Sequence, residues 1–296
     1  MKIEAQPRTT DHHHQVTLST ANGQTHAFDE VVVTCPLGWL KRNKSAFVPE
    51  LPPRLSQAID NISYGRLEKI YVTFPRAFWQ DPTPSPNTIP PPNTATTATT
   101  AKTARNDLTF ALFQNPTYTS HPQDPTIHWN QECMALTTLP LALAHPTLLF
   151  YIYGPCSEHI TTTITNTTTT TDKTTDKTLD TFLHPFYSRL PGYTATSPTC
   201  QPLAYHATTW QADPYAGHGS YTNFQTGLQH GDRDIETLRD ADGLGARRGV
   251  WFAGEHTAPF VALGTTTGAF WSGERVAAEV GAVYGLGSAS ASGELV

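Results

Sequence analysis

Polar and apolar residues alternate from Gln15 to Thr20, and Asn22-Gly23 then offers the dipeptide of a two-residue hairpin turn. His26 to Glu30 leads into Val31-Val32-Val33-Thr34, a β-branched run that reads as a buried strand and is broken by Pro36-Leu37-Gly38. Pro52-Pro53 opens a helix with Leu55, Ala58, Ile59 and Ile62 on one face, and Gly65 is expected to close it as a left-handed C-cap. From Leu67 to Phe74 the period becomes two. Leu67, Lys69, Tyr71 and Thr73 share one face of the expected strand, and Glu68, Ile70, Val72 and Phe74 share the other. Leu108–Gln114, Met134–Leu143 and Leu148–Tyr153 read as folded core. Leu179–Leu190 reads as a short amphipathic helix, stopped or bent at Pro185. Val250-Trp251-Phe252 reads as another buried strand, followed by a turn bearing Glu255, a Thr/Gly-rich approach and a helix.

Two stretches have no such period. Residues 81–105, rich in Pro and Thr, and residues 161–178, mostly Thr, are expected to be disordered surface insertions. Residues 285–296 read as a loose tail.

Charge and cysteines narrow the function classes. A net charge of -6 over 296 residues argues against nucleic acid as a partner and mildly favours cationic ligands. No apolar run reaches membrane-spanning length, and the first ten residues lack the apolar core of a secretory signal, so no membrane partner is expected. Cys35, Cys133, Cys156 and Cys200 lie far apart without a CxxC pair. They suggest free thiols in a reducing, cytoplasmic compartment, with two disulfides as the open alternative. Asn-X-Ser/Thr acceptors at Asn43, Asn61 and Asn166 carry little without a secretory signal. His12, His13 and His14 beside Asp11 fit a solvated hairpin loop better than a metal site, since adjacent histidines point different ways.

Four segments could carry chemistry. In the first, Val31–Lys41, a strand ends in a Pro-Leu-Gly turn that brings backbone close to whatever lies at the sheet end; its bland reading is a buried strand and turn. In the second, Gly65–Phe74, Lys69 is an ammonium in a half-apolar strand. It either snorkels to solvent or sits desolvated, able to hold a water or relay a proton. In the third, Trp210–Tyr221, an Asp-Pro turn, small residues and flanking aromatics suit a flat ligand or a caged cation, or simply pack a loop. In the fourth, Gly254-Glu255-His256-Thr257 and Gly264-Thr265-Thr266-Thr267-Gly268 put an acid beside a Thr-capped helix start, where free N–H groups and partial positive charge suit an electron-rich cofactor.

Together these strings resemble the FAD-dependent amine oxidases, the family of monoamine oxidases, polyamine oxidases and flavin histone demethylases. The likeness lies in VVVTCPLGWLK, GRLEKIYVTF with Phe78-Trp79, WQADPYAGHGSY and VWFAGEHT through GTTTGA. It implies an α/β fold with an incomplete FAD-binding half from residues 1–60 and 245–284, and a substrate-binding half from 61–244 on a mixed sheet with helices. It gives Lys69 the catalytic role of holding a water against the flavin. It makes Tyr221 one wall of a substrate cage with Thr265, Trp210 and Tyr215. Thr34, Pro36, Ser220, Gly254, Glu255, Thr265 and Thr266 become cofactor contacts, with Glu255 on the ribityl–pyrophosphate part of FAD and the amides of 265–267 near the flavin ring. Monoamine oxidases attach FAD through a cysteine at the Ser220 position, so serine implies noncovalent FAD. Threonine at 265 in place of a second cage tyrosine suits a polyamine or substituted amine.

The implied reaction is oxidation of a small-molecule amine to an imine, with hydride transfer to flavin and peroxide formation. Two departures stand out. Glu68 replaces the usual Asn, and Cys35 the usual apolar residue. The family's G-x-G-x-x-G is also not found. The nearest string, Gly243–Gly249, has Arg248 at the third glycine position and precedes a strand instead of following one. The expectation is therefore the C-terminal part of such an oxidase, partnered by a dinucleotide-binding segment, with an apolar sheet edge exposed at Val31–Thr34 and Val250–Phe252. The alternative is a truncated, non-catalytic fragment or interaction module.

Overall fold

A computed structural model describes residues 1–7, 16–81, 108–166 and 172–286. The His12–His14 segment, nearly all of the Pro/Thr-rich stretch and most of the tail lie outside the described residues.

Strands come in the order β1 (Lys2–Ala5), β2 (Val16–Ser19), β3 (Thr25–Phe28), β4 (Val31–Val33), β5 (Phe47–Val48), β6 (Ser63–Tyr64), β7 (Leu67–Thr73), β8 (Phe110–Phe113), β9 (Ser120–His121), β10 (Asp124–His128), β11 (Gln131–Ala135), β12 (Thr147–Tyr153), β13 (Ala204–Ala207), β14 (Thr222–Asn223) and β15 (Val250–Phe252). The α-helices are α1 (Leu37–Arg42), α2 (Pro53–Asn61), α3 (Gly154–Thr165), α4 (Asp172–Tyr187), α5 (Gly231–Asp240), α6 (Leu244–Arg248) and α7 (Thr266–Val283). The fold is mixed α/β, in two compact units: Met1–Arg66 with Trp210–Val296, and Leu67–Thr209.

In the first unit, β1 pairs antiparallel with β2 and parallel with β5, and β2 and β3 form the expected hairpin. Gly23 at φ +82° makes its turn. A parallel pair joins the two ends of the chain, with Val31, Val32 and Val33 of β4 opposite Val250, Trp251 and Phe252 of β15. Leu37, Leu40, Leu55, Ile59, Ile235, Leu238 and Phe252 pack one core. Val276 of α7 closes over Trp251 and Ala253. The apolar edge is therefore smaller than expected. All three β15 residues are buried, and Val32, 45% exposed, is the open one.

Residues 210–244 cluster with this unit and not with the substrate half. β14 pairs with β6, Arg42 Nη1 donates to Gly217 O at 2.8 Å, and Arg54 meets the buried Asp234 at 2.5 Å. Gly65 is not a helix cap. Helix α2 ends at Asn61, and Ile62 is already extended. Gly65 N donates to Tyr221 O at 2.7 Å, and its carbonyl accepts from Ser220 N at 2.9 Å.

In the second unit the antiparallel sheet runs β13-β7-β12-β11-β8. Burial along β7 alternates as its period predicted, with Glu68, Ile70 and Val72 inward. α3 and α4 contribute Cys156, Ile160, Leu179, Leu183 and Phe186 to the core beneath that face.

Residues 161–165 and 172–178 are helical, which corrects the disordered insertion expected over 161–178. The stripe Cys156-Ile160-Ile164, spaced by four, packs on the core and holds α3. Its threonines satisfy themselves on the preceding turn, Thr163 Oγ1 on His159 O at 2.7 Å and Thr165 Oγ1 on Thr161 O at 2.8 Å. Helix α4 also starts well before Leu179 and continues through Pro185. The expected core segment Met134–Leu143 shrinks. β11 ends at Ala135, and Leu141 is 98% exposed in the turn that follows.

Candidate functional site

Within the first unit the fold draws three of the four motif segments together. The turn after β4 packs closely against the 210–221 loop at Gly38 and Gly217. A Cβ on Gly38 would meet Gly217 O at 2.1 Å and the Tyr64 ring at 2.6 Å. Gly217, at φ +75°, would bring a Cβ within 2.5 Å of Trp39 N. Tyr64 hydroxyl donates to Ala216 O at 2.8 Å. Burial, then the negative charge of Glu255, pushes the Tyr64 phenol up to about 12.

The end of that loop closes on the acid of the fourth segment. Thr222 N and Thr222 Oγ1 both donate to Glu255 Oε1, at 3.1 and 2.7 Å. Among the described residues Glu255 Oε2 is buried without a hydrogen-bond partner. Burial raises the Glu255 carboxyl above its ordinary range, and the Thr222 and Gly264 donors pull it only part of the way back. Gly264, at φ +72°, completes the enclosure, since a Cβ there would meet Thr222 O at 2.7 Å and the Tyr221 ring at 3.1 Å.

Thr265 then caps α7. Its hydroxyl accepts from Gly268 N at 2.9 Å and donates to Ala262 O at 2.7 Å. Its own amide donates to Ala262 O at 3.3 Å. That leaves Thr266 and Thr267 as the amides offered at the tip of this 18-residue helix.

The other expected contacts fall into place unevenly. Thr34 is exposed just past β4, and Pro36 caps α1. Gly254, at φ +145°, donates its amide to Ser272 Oγ at 2.8 Å. Ser220 Oγ donates to Gly65 O at 3.0 Å. Tyr221 is 37% exposed beside Gly264, while Tyr215 is 86% exposed and encloses nothing as placed. Trp210 lies in a short 3-10 turn, also exposed.

Sequence reasoning passed over His256. Its imidazole is fully buried, Nε2 has no partner among the described residues, and burial holds it down at about 4, so it is neutral. The only signal was its place between Glu255 and Thr257.

Lys69 belongs to the second unit, on the face of β7 turned away from the core. Its Nζ lies 5.6 Å from the centre of the Tyr151 ring. Its strand is held by Thr208, which donates through N to Lys69 O at 2.9 Å and accepts Lys69 N on Oγ1 at 2.9 Å. The same hydroxyl donates to the buried Glu68 at 2.6 Å, so the unusual carboxylate at 68 anchors the edge strand on the core side. Among the described residues no group of His, Cys, Asp and Glu could hold a metal ion.

A buried carboxylate in the same unit as a Thr-capped helix tip fits a ligand that carries hydroxyls and an electron-rich group. Residues 3–281 match the family model described as flavin containing amine oxidoreductase. A stretch of 68 residues is 41% identical to lysine-specific histone demethylase 1 homolog 3 of Arabidopsis thaliana, covering 23% of this chain and 4% of that protein. A stretch of 64 residues is 41% identical to polyamine oxidase 4 of Oryza sativa subsp. japonica, covering 22% of this chain and 13% of that protein. Among solved structures, cyclohexylamine oxidase from Brevibacterium oxydans shares the fold, with a TM-score of 0.58 at 17% identity over 96% of this chain. A putrescine oxidase redesigned in its cofactor binding gives 0.56 at 15% over 95%. The chain spans about half the length of these two structures, 48% and 47%.

Proposed function

The chain belongs to the flavin-containing amine oxidoreductase family, and from that premise we propose that it serves FAD-dependent oxidation of an amine, with FAD held noncovalently. The observation that supports this most is Glu255. It is a buried acceptor fixed by Thr222, and its Oε2 has no donor among the described residues. A hydroxyl of a polyol chain such as the ribityl of FAD would supply that donor. The tip of α7 offers the Thr266 and Thr267 amides and its partial positive charge to an electron-rich group. Ser220 has no thiol for covalent attachment, and its hydroxyl is spent on Gly65 O.

Bound flavin would supply the acceptor for the hydride equivalent leaving the carbon next to nitrogen. The chain's own residues bind and orient. Tyr221, Gly264 and the capped Thr265 would border the amine, and Lys69, by the family resemblance, would hold a water or pass a proton. A threonine at 265 and a net charge of -6 favour a polyamine or substituted amine over a small aryl amine.

The test is direct. The purified chain is mixed with FAD, desalted, and scanned for a flavin absorption band; amines are then added and peroxide is measured. A retained band with amine-dependent peroxide supports the reading. Flavin that washes through, with no peroxide from any amine, sinks it and favours a non-catalytic module.

A further inference from the structure

On the helical side of the second unit, α3, α4 and the β9–β10 hairpin border a cavity of about 370 Å³. Its walls Trp129, Ile160 and Phe182 belong to the core cluster of Ile70 and Val72, so the cavity lies across the sheet from the face that carries Lys69. The periods of the two helices build it. His159 and Thr163 of α3 are four apart, and Thr178, Thr181 and Phe182 of α4 follow at spacings of three and four, so each helix turns one stripe to the gap. Ser120 of β9 and Trp129, just before β11, close the remaining side. Cavities that take small molecules run from roughly 300 to 1,000 Å³.

The inner wall is aromatic. The Trp129 ring lies 5.0 Å from the His159 ring and 5.3 Å from the Phe182 ring. Trp129 is itself buried, and its indole Nε1 has no hydrogen-bond partner among the described residues. The His159 imidazole makes ring contacts and no hydrogen bond among them. Burial, then the neighbouring His121, lowers His159 below its ordinary range. At neutral pH its ring is therefore uncharged, with one nitrogen donating and the other accepting. Ser120 adds a hydroxyl able to do both. No Asp, Glu, Lys or Arg lines the cavity.

Each feature narrows the occupant. Aromatic walls favour a flat ring, through stacking and buried area. A cavity without a charged wall penalises an ion, which loses hydration and gains no opposite charge. A neutral imidazole and a hydroxyl match a group that both donates and accepts.

We propose that this cavity binds an uncharged, planar aromatic molecule with an amide-like edge, at a place separate from any amine oxidation. The site does not depend on the oxidase reading. An ammonium is the kind of group it disfavours, so its ligand is not the substrate of that reaction.

The experiment dialyses the full chain, without added flavin, to equilibrium against three compounds that share one ring, read by naphthyl fluorescence. They are neutral 2-naphthamide, the cation 2-naphthamidine and the anion 2-naphthoate. Thr181→Trp fills the cavity from an exposed position of α4, and the binding it removes is the binding that belongs to this site. Thr163→Trp repeats the block from α3. In that component naphthamide is expected to bind at least tenfold tighter than either ion. Thr181→Ala, which leaves the cavity open, is expected to keep it. Thermal melting checks that the variants fold. Naphthamide that does not bind, naphthamide binding that survives both tryptophan variants, or an ion that matches the amide in the blocked component overturns the proposal. Retention or loss of FAD changes none of these outcomes, so the oxidase reading stands or falls separately.

Discussion

Neutralising Glu255 should make the ligand-free chain more stable at neutral pH and worse at keeping flavin. Oε1 takes both Thr222 donors, and Oε2 is buried with no hydrogen-bond partner among the described residues. Burial raises the carboxyl above its unfolded value near 4.5, so the folded chain binds that proton more tightly than the unfolded chain. Its stabilising contribution is complete below pH 4.5 and is lost as pH rises through the folded value. At pH 7.5 the ionised group is a net cost. Glu255→Gln keeps the shape and an acceptor for Thr222 but removes the charge. The expected gain at pH 7.5 is about 1 kcal/mol, the lower end of what a buried polar atom without a partner costs. At pH 4.5 the gain should nearly vanish. Urea midpoints of parent and variant at both pH values, with unchanged m-values, measure it. The same preparations, incubated with FAD and desalted, should show less flavin retained by the variant, because a ligand hydroxyl meets a neutral acceptor in place of a charged one. A variant less stable than the parent at pH 7.5, or a stability difference that does not change with pH, refutes the reasoning.

The neighbouring His256 works with the opposite sign. Burial holds its imidazole at about 4 against 6.5 unfolded, so its contribution is present above pH 6.5 and falls by about 3 kcal/mol as pH drops toward 4. His256→Leu should flatten that acid limb in urea midpoints, and an unchanged limb would count against a neutral buried imidazole. At the α2–α5 contact, Arg54→Met should cost more than Asp234→Asn. The first strands a buried carboxylate with Asn61 as its remaining side-chain donor, at about 3 kcal/mol, whereas the second leaves an arginine 40% exposed to water, at about 1 kcal/mol. Equal losses in chemical denaturation would show that the carboxylate is not desolvated as placed. In a flavin-loaded chain, Lys69→Met should slow flavin reduction or reoxidation at least tenfold in stopped-flow absorbance, and unchanged rates would remove Lys69 from the chemistry.

What could be read from the sequence was what burial writes into it locally. β4 and β7 were legible because a β-branched run and a period of two are the direct imprint of a buried strand and of a sheet with one face on a core. The threonines of α3 misled because their intrinsic preference is not helical. Tertiary burial of Cys156 and Ile160 outweighs that preference, and hydroxyl bonds to the preceding turn remove the remaining cost. Gly65 shows the limit of a single residue. A glycine says only that no Cβ is tolerated, which fits a left-handed cap or a close approach equally well. Here the reason lies at Asn223 Nδ2, 3.0 Å from where a Cβ would sit, and at Tyr221 O, 3.2 Å away. The same holds for the site. Gly38 and Gly217 read as places where backbone comes close to something, but that they meet each other, with no room for a methyl group, emerges only when distant segments press together. Lys69 is the extreme case. Nothing in Leu67-Glu68-Lys69-Ile70 points to Tyr151, because the two are neighbours by strand register, and register is set by the sum of all the inward-facing residues. A one-residue slip of β7 would turn Lys69 into the core and bring Ile70 out. The burial of Glu68, Ile70 and Val72 therefore holds the ammonium on the open face, and packing on one side of the sheet determines the chemistry available on the other.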